Sequence, residues 1–352
     1  MIGIIVSGGI SFIFVLFSTY LGVNYFKSKS IGQEIQEELQ FHDHKKGTPT
    51  MGGIFIIVGT CIGYFLSHIN FWTIGEGFKV EFIDVNLEVV NLLIIASLMG
   101  LVGLIDDLYK VKEGRNLGLK PKQKFLLQLI IGVIASYYFY NLGYDTQFYF
   151  FSGLGIEVGI FKWILIVFLL LGITNSVNFT DGLDGLVGGS SVLTLGGILI
   201  ISFWIYRHPG YYSNFVIDSF LLVDISRLIS ATAGACLAFL WWNTYPAKII
   251  MGDIGSHFIG ALIPLVLFAL GADGLIFFFC FLFIFEGVSV VLQILSFKYR
   301  KKRIFKMAPI HHHFEMKNWA ETTIIVRFWI INGIAIVFGL GLFYADFVLF
   351  GQ

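Results

Sequence analysis

What most limits the fold of this chain is a succession of apolar runs, each long enough to cross a bilayer. A hydrocarbon core takes about 20 apolar residues per helix, with about 17–25 workable. On that template ten spans are expected: Ile4–Tyr25, Gly52–Ile69, Val89–Ile105, Phe125–Leu142, Ile160–Val177, Leu186–Tyr206, Leu228–Trp242, Ile254–Leu270, Leu275–Phe297 and Ile324–Leu349. Asp218, Asp224 and Arg227 interrupt the apolar approach to the seventh. Composition agrees: 57% of the residues are hydrophobic and 13% charged, against roughly 25% charged in a soluble domain. The expectation is an all-α integral membrane protein of about ten transmembrane helices, forming one domain over residues 1–352. No basic residue precedes Lys27, unlike the positive start of a signal peptide, so the first run is expected to remain as a span. Cys61, Cys236 and Cys280 lie far apart inside apolar runs; their odd number and spacing suit small buried hydrophobes rather than a disulfide or zinc framework.

Basic residues orient such spans, because cytoplasmic loops carry the excess of Lys and Arg. Loops after odd-numbered spans hold Lys27, Lys29, Lys45, Lys46, Lys110, Lys112, Arg115, Lys120, Lys122, Lys124, Lys248 and the run from Lys298 to Lys317, most of the 23 basic residues. The other side has Lys79, Lys162, Arg207 and Arg227. The odd loops are therefore expected in the cytoplasm, with both termini outside. Net charge is zero, and no nucleic-acid partner is expected.

The unusual polar residues all fall on the expected cytoplasmic face. Asn178-Phe-Thr-Asp-Gly-Leu-Asp-Gly185 places Asp181 and Asp184 between two membrane-length runs, where a plain connector would need only turn chemistry. Asp106 and Asp107 end the third span, with Lys110 four and three residues on. Helix neighbours point about 100° apart, so the two carboxylates should have different partners, one neutralised by Lys110 and the other open to a cation or a substrate. Asp253 lies between Gly252 and Gly255, which allow close backbone approach to a ligand. His311, His312 and His313 follow the ninth span, and Glu286 is the main acid inside a span.

Each motif alone also fits a solvated turn or helix end. Together they place five aspartates and three histidines beside a basic face. Carboxylates suit Mg²⁺, which binds through one or two of them plus substrate phosphates, while lysines and histidines suit phosphate oxygens. The residues point to a metal-assisted phosphoryl-transfer site at the membrane surface, with a nucleotide diphosphate as polar substrate and a lipid as the other. No GxxxxGK[ST] loop is present, so the donor is not held as in P-loop ATPases. A transporter is the rival of another class, since ionisable residues inside spans mark pathways; here charges gather at one surface instead.

In this order the motifs resemble the phospho-N-acetylmuramoyl-pentapeptide transferase family. The matching pieces are Gly47-Thr-Pro-Thr-Met-Gly-Gly53, Asp106-Asp-Leu-Tyr-Lys110, Asn178–Gly185, Met251-Gly-Asp-Ile-Gly-Ser256 and Pro309-Ile-His-His-His-Phe-Glu315. The aspartate motifs are shared with the wider polyprenyl-phosphate N-acetylhexosamine-1-phosphate transferases; the first and last motifs point to the muramoyl branch. The resemblance implies transfer of phospho-MurNAc-pentapeptide from UDP-MurNAc-pentapeptide to undecaprenyl phosphate at the bacterial plasma membrane, giving lipid I and UMP with Mg²⁺ as cofactor. A GlcNAc-1-phosphate transferase is the alternative within the superfamily, and a homodimer is a conceivable assembly. By motif, Asp253 would ligate Mg²⁺, with Asp106 and Asp107 beside the lipid phosphate and the reacting diphosphate. Asn178, Asp181 and Asp184 would help hold the uridine side, with Lys45, Thr50, Asn243, Ser256 and Gln293. His312 and His313, with His311, would contact the sugar-phosphate region, and Lys110 and Lys122 would join the polar shell. Ile250 stands where family members often have a Phe that stacks on uracil; losing the ring forgoes about 0.5–1.5 kcal/mol beyond area burial. Two routes stay open, direct attack by the lipid phosphate or a covalent aspartyl intermediate.

Overall fold

The structure is a computed structural model that describes residues 2–29, 47–73, 77–113, 118–151, 154–208 and 219–350. Long helices stand on all ten apolar runs: α1 (Ile2–Ser28), α2 (Gly53–Leu66), α3 (Leu87–Glu113), α4 (Pro121–Asn141), α5 (Phe161–Thr180), α6 (Leu186–Arg207), α7 (Ser219–Asn243), α8 (Gly252–Ala269), α10 (Phe281–Arg300) and α12 (Glu321–Phe350). Two short helices, α9 (Ile276–Phe279) and α11 (Ile310–Glu315), complete the set among the described residues. Eight of the ten long helices are long and apolar enough to cross a membrane. The chain is a multi-pass membrane protein, mostly helical, with two small antiparallel hairpins in its loops: β1 (Ile69–Thr73) with β2 (Gly77–Phe82), and β3 (Gln147–Phe151) with β4 (Leu154–Glu157).

Three expected spans take a different form. The second does not run to Ile69 as helix: α2 stops at Leu66 and the chain continues as β1. The seventh starts earlier than Leu228, because Asp224 and Arg227 are carried inside α7 as a paired group rather than at its mouth. Asp224 is wholly buried and accepts hydrogen bonds from Tyr64 Oη at 2.5 Å, Asn86 N at 3.0 Å and Arg227 Nη1 at 3.1 Å, with His68 Nε2 at 2.6 Å. A buried charge is tolerated only when paired and hydrogen-bonded, and this one is. The ninth span is broken at Cys280, which joins α9 to α10. Thr194 Oγ1 donates to the Phe279 carbonyl at 2.9 Å, giving the disrupted ladder a local partner; in a bilayer core such groups must be satisfied inside the protein.

The core is built around α8. Apart from Asp253, every residue of this helix is buried, and a helix apolar all round belongs in the interior. Helices α2, α3 and α5 pack against it. The outer helices keep apolar faces outward, as Ile5, Phe17, Ile334 and Val337 do, which suits lipid rather than water as their surroundings. Helix α2 begins, α3 ends and α8 begins at one end of the bundle, and the polar motifs meet there.

Candidate active site

Close backbone approach makes the site. A Cβ at Gly103 would lie 2.2 Å from the Asp253 carbonyl oxygen, so only glycine lets α3 cross the start of α8 at this depth. The segment before α2 pairs with the segment before α8: Ile250 N donates to Pro49 O at 2.7 Å, Gly52 N to Ile250 O at 2.9 Å and Gly53 N to Met251 O at 2.9 Å. These bonds fix Thr50 and Ile250, both buried, next to the turn into α8. Gly252 takes φ +76°, and a Cβ there would meet Asp107 Oδ2 at 2.7 Å and Thr50 Oγ1 at 3.1 Å. Glycine is required twice over, for its positive φ and for the space.

The α8 N-terminus carries backbone N–H groups with no partner inside the helix. Asp107 meets this need from α3, accepting from Ile254 N at 3.2 Å. Asp106, one residue earlier, turns to the α3–α4 connection and accepts from Leu119 N at 2.8 Å. The two neighbours thus accept from different backbone N–H groups, but Lys110 lies within 4 Å of both rather than neutralising only one. Ligand oxygens of Asp106, Asp107 and Asp253 all come within 4.8 Å of one another.

Two ammonium groups hold these carboxylates together. Lys110 Nζ lies 2.7 Å from Asp106 Oδ2, 3.6 Å from Asp107 Oδ1 and 3.0 Å from Asp253 Oδ1. Lys124 Nζ lies 2.5 Å from Asp253 Oδ2 and 3.7 Å from Asp106 Oδ2. The resemblance implies Lys122 in this polar shell, whereas the structure brings Lys124 to the cluster. On α4, Lys122 is exposed and Lys124 is turned inward. Helical phase separates them: two residues along a helix is about 200° of rotation, so only one of the pair can face the cluster. Three carboxyl groups thus share two ammoniums.

Asn178, at the end of α5, donates from Nδ2 to Asp253 Oδ1 at 2.9 Å and to Ser256 Oγ at 3.0 Å, so these two residues belong to the same cluster. The rest of its loop braces neighbouring elements. Asp184 is buried; its Oδ2 accepts from Ala247 N at 2.8 Å and its N–H donates to Glu321 Oε1 at 2.9 Å. Asn243 bridges Gly185 N, 3.0 Å away, and Ile249 O, 2.8 Å away. Asp181 caps α5 and is half-buried.

The three histidines of the α11 motif part ways. His311 is fully buried, its Nδ1 3.1 Å from Glu286 Oε2, and a Cβ at Gly182 would lie 2.4 Å from its Nε2. It thus sits where α10, α11 and the Asn178–Gly185 loop meet. His312 Nδ1 lies 2.5 Å from Glu315 Oε2. His313 is half-exposed and accepts from Lys306 N at 3.0 Å through Nδ1; desolvation first, then Lys317 and Lys306, hold its imidazole below the usual value. Gln293 spans the same loop, accepting from Ile304 N and Phe305 N and donating to Phe305 O, each at 3.0 Å. Lys45 lies outside the described residues.

Beside the cluster, an apolar cavity of about 1020 Å³ lies between α4, α5 and α10, its walls including Phe125, Leu129, Phe168, Phe179, Ile284 and Val291. Phe125 follows Lys124 and Phe179 follows Asn178 in the chain, so two wall residues of the cavity are chain neighbours of cluster residues.

Residues 89–271 match a family model described as glycosyl transferase family 4, and residues 45–57 match signature 1 of phospho-N-acetylmuramoyl-pentapeptide-transferase. A phospho-N-acetylmuramoyl-pentapeptide-transferase of Frankia alni is 38% identical over 369 residues, covering 100% of both chains. Proteins of the same name from Mycobacteroides abscessus and Nocardia farcinica are 38% identical over 98% of both chains and 39% identical over 93% of both.

Proposed function

Since this chain belongs to the phospho-N-acetylmuramoyl-pentapeptide-transferase family, we propose that it transfers phospho-MurNAc-pentapeptide from its UDP carrier to undecaprenyl phosphate, releasing UMP and forming lipid I. The observation that carries the reading is the cluster of Asp106, Asp107 and Asp253 with Lys110 and Lys124, on helices whose neighbouring faces line an apolar cavity. A phosphate must meet a diphosphate there, and a polyprenyl chain must lie alongside. The cavity is of the size that takes a substantial ligand, and its lining suits the polyprenyl tail.

The donor set fits Mg²⁺. It is made of hard carboxylate oxygens within 4.8 Å of one another, and both Asp253 oxygens already face cations in the form of the lysine ammoniums. Asp253, with Asp106 and Asp107, would hold the ion. When bound, Mg²⁺ would neutralise charge on the donor diphosphate and the departing phosphate.

The protein's own groups act around it. Lys110 and Lys124 offset the repulsion between two anionic substrates, an electrostatic contribution largest where water is excluded. Asn178 holds the Asp253 carboxylate in one orientation through its amide. The second pKa of a phosphate monoester is about 6, so the lipid phosphate is mostly a dianion at neutral pH and attacks directly without a strong base. The uridine side is assigned to Thr50, Ile250, Asn178, Asp181 and the Asp184–Asn243 brace; His312 and His313 are assigned to the sugar-phosphate region. The basic face is taken as cytoplasmic, in a bacterial plasma membrane.

The test supplies purified protein, undecaprenyl phosphate and Mg²⁺ with either UDP-MurNAc-pentapeptide or UDP-GlcNAc, and follows UMP. Release with the first donor supports the reading. Release with UDP-GlcNAc alone would assign the chain to the sister activity. A covalent phosphosugar-protein trapped without the lipid acceptor would replace direct attack by the two-step route.

A further inference from the structure

The hairpin β1–β2 joins the end of α2 to the start of α3, and therefore lies at the end of the bundle opposite the carboxylate cluster. Helix α2 has 14 residues, about 21 Å at 1.5 Å per residue, which is short of a hydrocarbon core about 30 Å thick. Helices α2 and α3 meet the start of α8 at one level, where Gly53 meets Gly255 and Gly103 meets Asp253. From Gly103 back to Leu87, α3 rises about 24 Å. The two helices thus end within about 3 Å of the same height, and the hairpin extends the chain beyond the end of α2, held to it by Ile83 N donating to His68 O at 2.8 Å.

Strand β2 has the pattern this location requires. Side chains alternate between the two faces of a strand. Phe78, Val80 and Phe82 share one face and are 73%, 48% and 79% exposed. Lys79 and Glu81 share the other, and pair with each other at 2.6 Å, which leaves that face without net charge. The apolar face continues a lipid-facing surface: Phe65 and Leu66 at the end of α2 and Leu87 at the start of α3 are exposed as well. Aromatic side chains collect at the level where headgroups meet acyl chains.

We propose that β2 lies on the bilayer at the headgroup–acyl boundary, with Phe78, Val80 and Phe82 in contact with lipid and the Lys79–Glu81 face turned to water. The hairpin completes the short α2 span, and the occupant of its apolar face is lipid.

Spin labels on single cysteines at positions 78 to 82 test this in the full chain, reconstituted in phosphatidylcholine–phosphatidylglycerol vesicles. Cys236 and Cys280 are buried and Cys61 is half-buried, so the unsubstituted protein taken through the same labelling gives the background. Labels at 78, 80 and 82 are expected to relax several-fold more with dissolved oxygen than with a water-soluble nickel chelate, and labels at 79 and 81 the reverse. Equal access of the chelate to all five positions would place the strand in water and overturn the proposal. Exclusion of both reagents from 78, 80 and 82 would overturn it too, since protein would then cover the face.

Discussion

Lys122 and Lys124 differ by two positions, and by everything that matters for the cluster. One is exposed on α4; the other sits 2.5 Å from Asp253 Oδ2. A single removed electrostatic partner of a reacting centre costs about 100- to 1000-fold in turnover. Lys124→Gln is therefore expected to lower UMP release by about that factor, while Lys122→Gln stays within about twofold, as exposed substitutions usually do; steady-state rates of the two variants check this. Asp253 has both oxygens engaged by ammoniums and one also by Asn178. Asp253→Asn is expected to lose activity that added Mg²⁺ restores only in part, measured as rate against Mg²⁺ concentration. Near-normal activity at low Mg²⁺ would remove Asp253 from the metal site. The glycines were legible as motif letters, but their reason is steric: Gly103 and Gly252 are the places where a Cβ would strike Asp253 and Asp107.

Among the elements, the hairpin β3–β4 shows a charge working at the end opposite the cluster. Asp273 stands in the turn after α8, almost wholly buried, and accepts from Tyr149 N at 3.2 Å with Lys162 Nζ 3.3 Å away. Burial pushes its carboxyl up to about 6, against the opposing pull of Lys162. A carboxyl raised in the folded state makes its full contribution below the unfolded value of about 4 and loses it as pH climbs through the folded value. Amide exchange in β3 is therefore expected to be faster at pH 7.5 than at pH 5 by more than intrinsic exchange explains. Asp273→Asn, which cannot ionise, should abolish that excess; its persistence would assign the effect to another group. Asp224 shows the other solution, a buried carboxylate fully paired by Tyr64, His68, Asn86 and Arg227. No hydropathy pattern reveals such a partner set, so Asp224 and Arg227 read as an interruption of the apolar run, yet both lie inside α7; Asp218 lies outside the described residues.

At the scale of the whole molecule, basic residues and acidic motifs share one end of the bundle, and the hairpins described above lie at the other. If the basic end faces the cytoplasm, inside-out membrane vesicles should consume externally added UDP-MurNAc-pentapeptide. Sealed right-side-out vesicles should do so only after permeabilisation; equal rates from the two would reverse the orientation. The buried position of α8 makes it the reference to which the site is built: α3 supplies two carboxylates, α4 and α3 a lysine each, and α5 an amide, all aimed at the first turn of one helix.

From the sequence alone came the membrane class, the location of the long helices, the gathering of the polar motifs at one end and the family. Those follow from local properties: apolar length, charge counts and short motifs contiguous in the chain. The tertiary structure decided which lysine enters the cluster, that Asp184 joins its loop to the segments at Ala247 and Glu321, that His311 is buried beside Glu286, and where the second and ninth spans change form. These depend on helical phase, on backbone approach between segments far apart in sequence, and on partners for buried polar groups. A linear chain does not encode any of them one residue at a time.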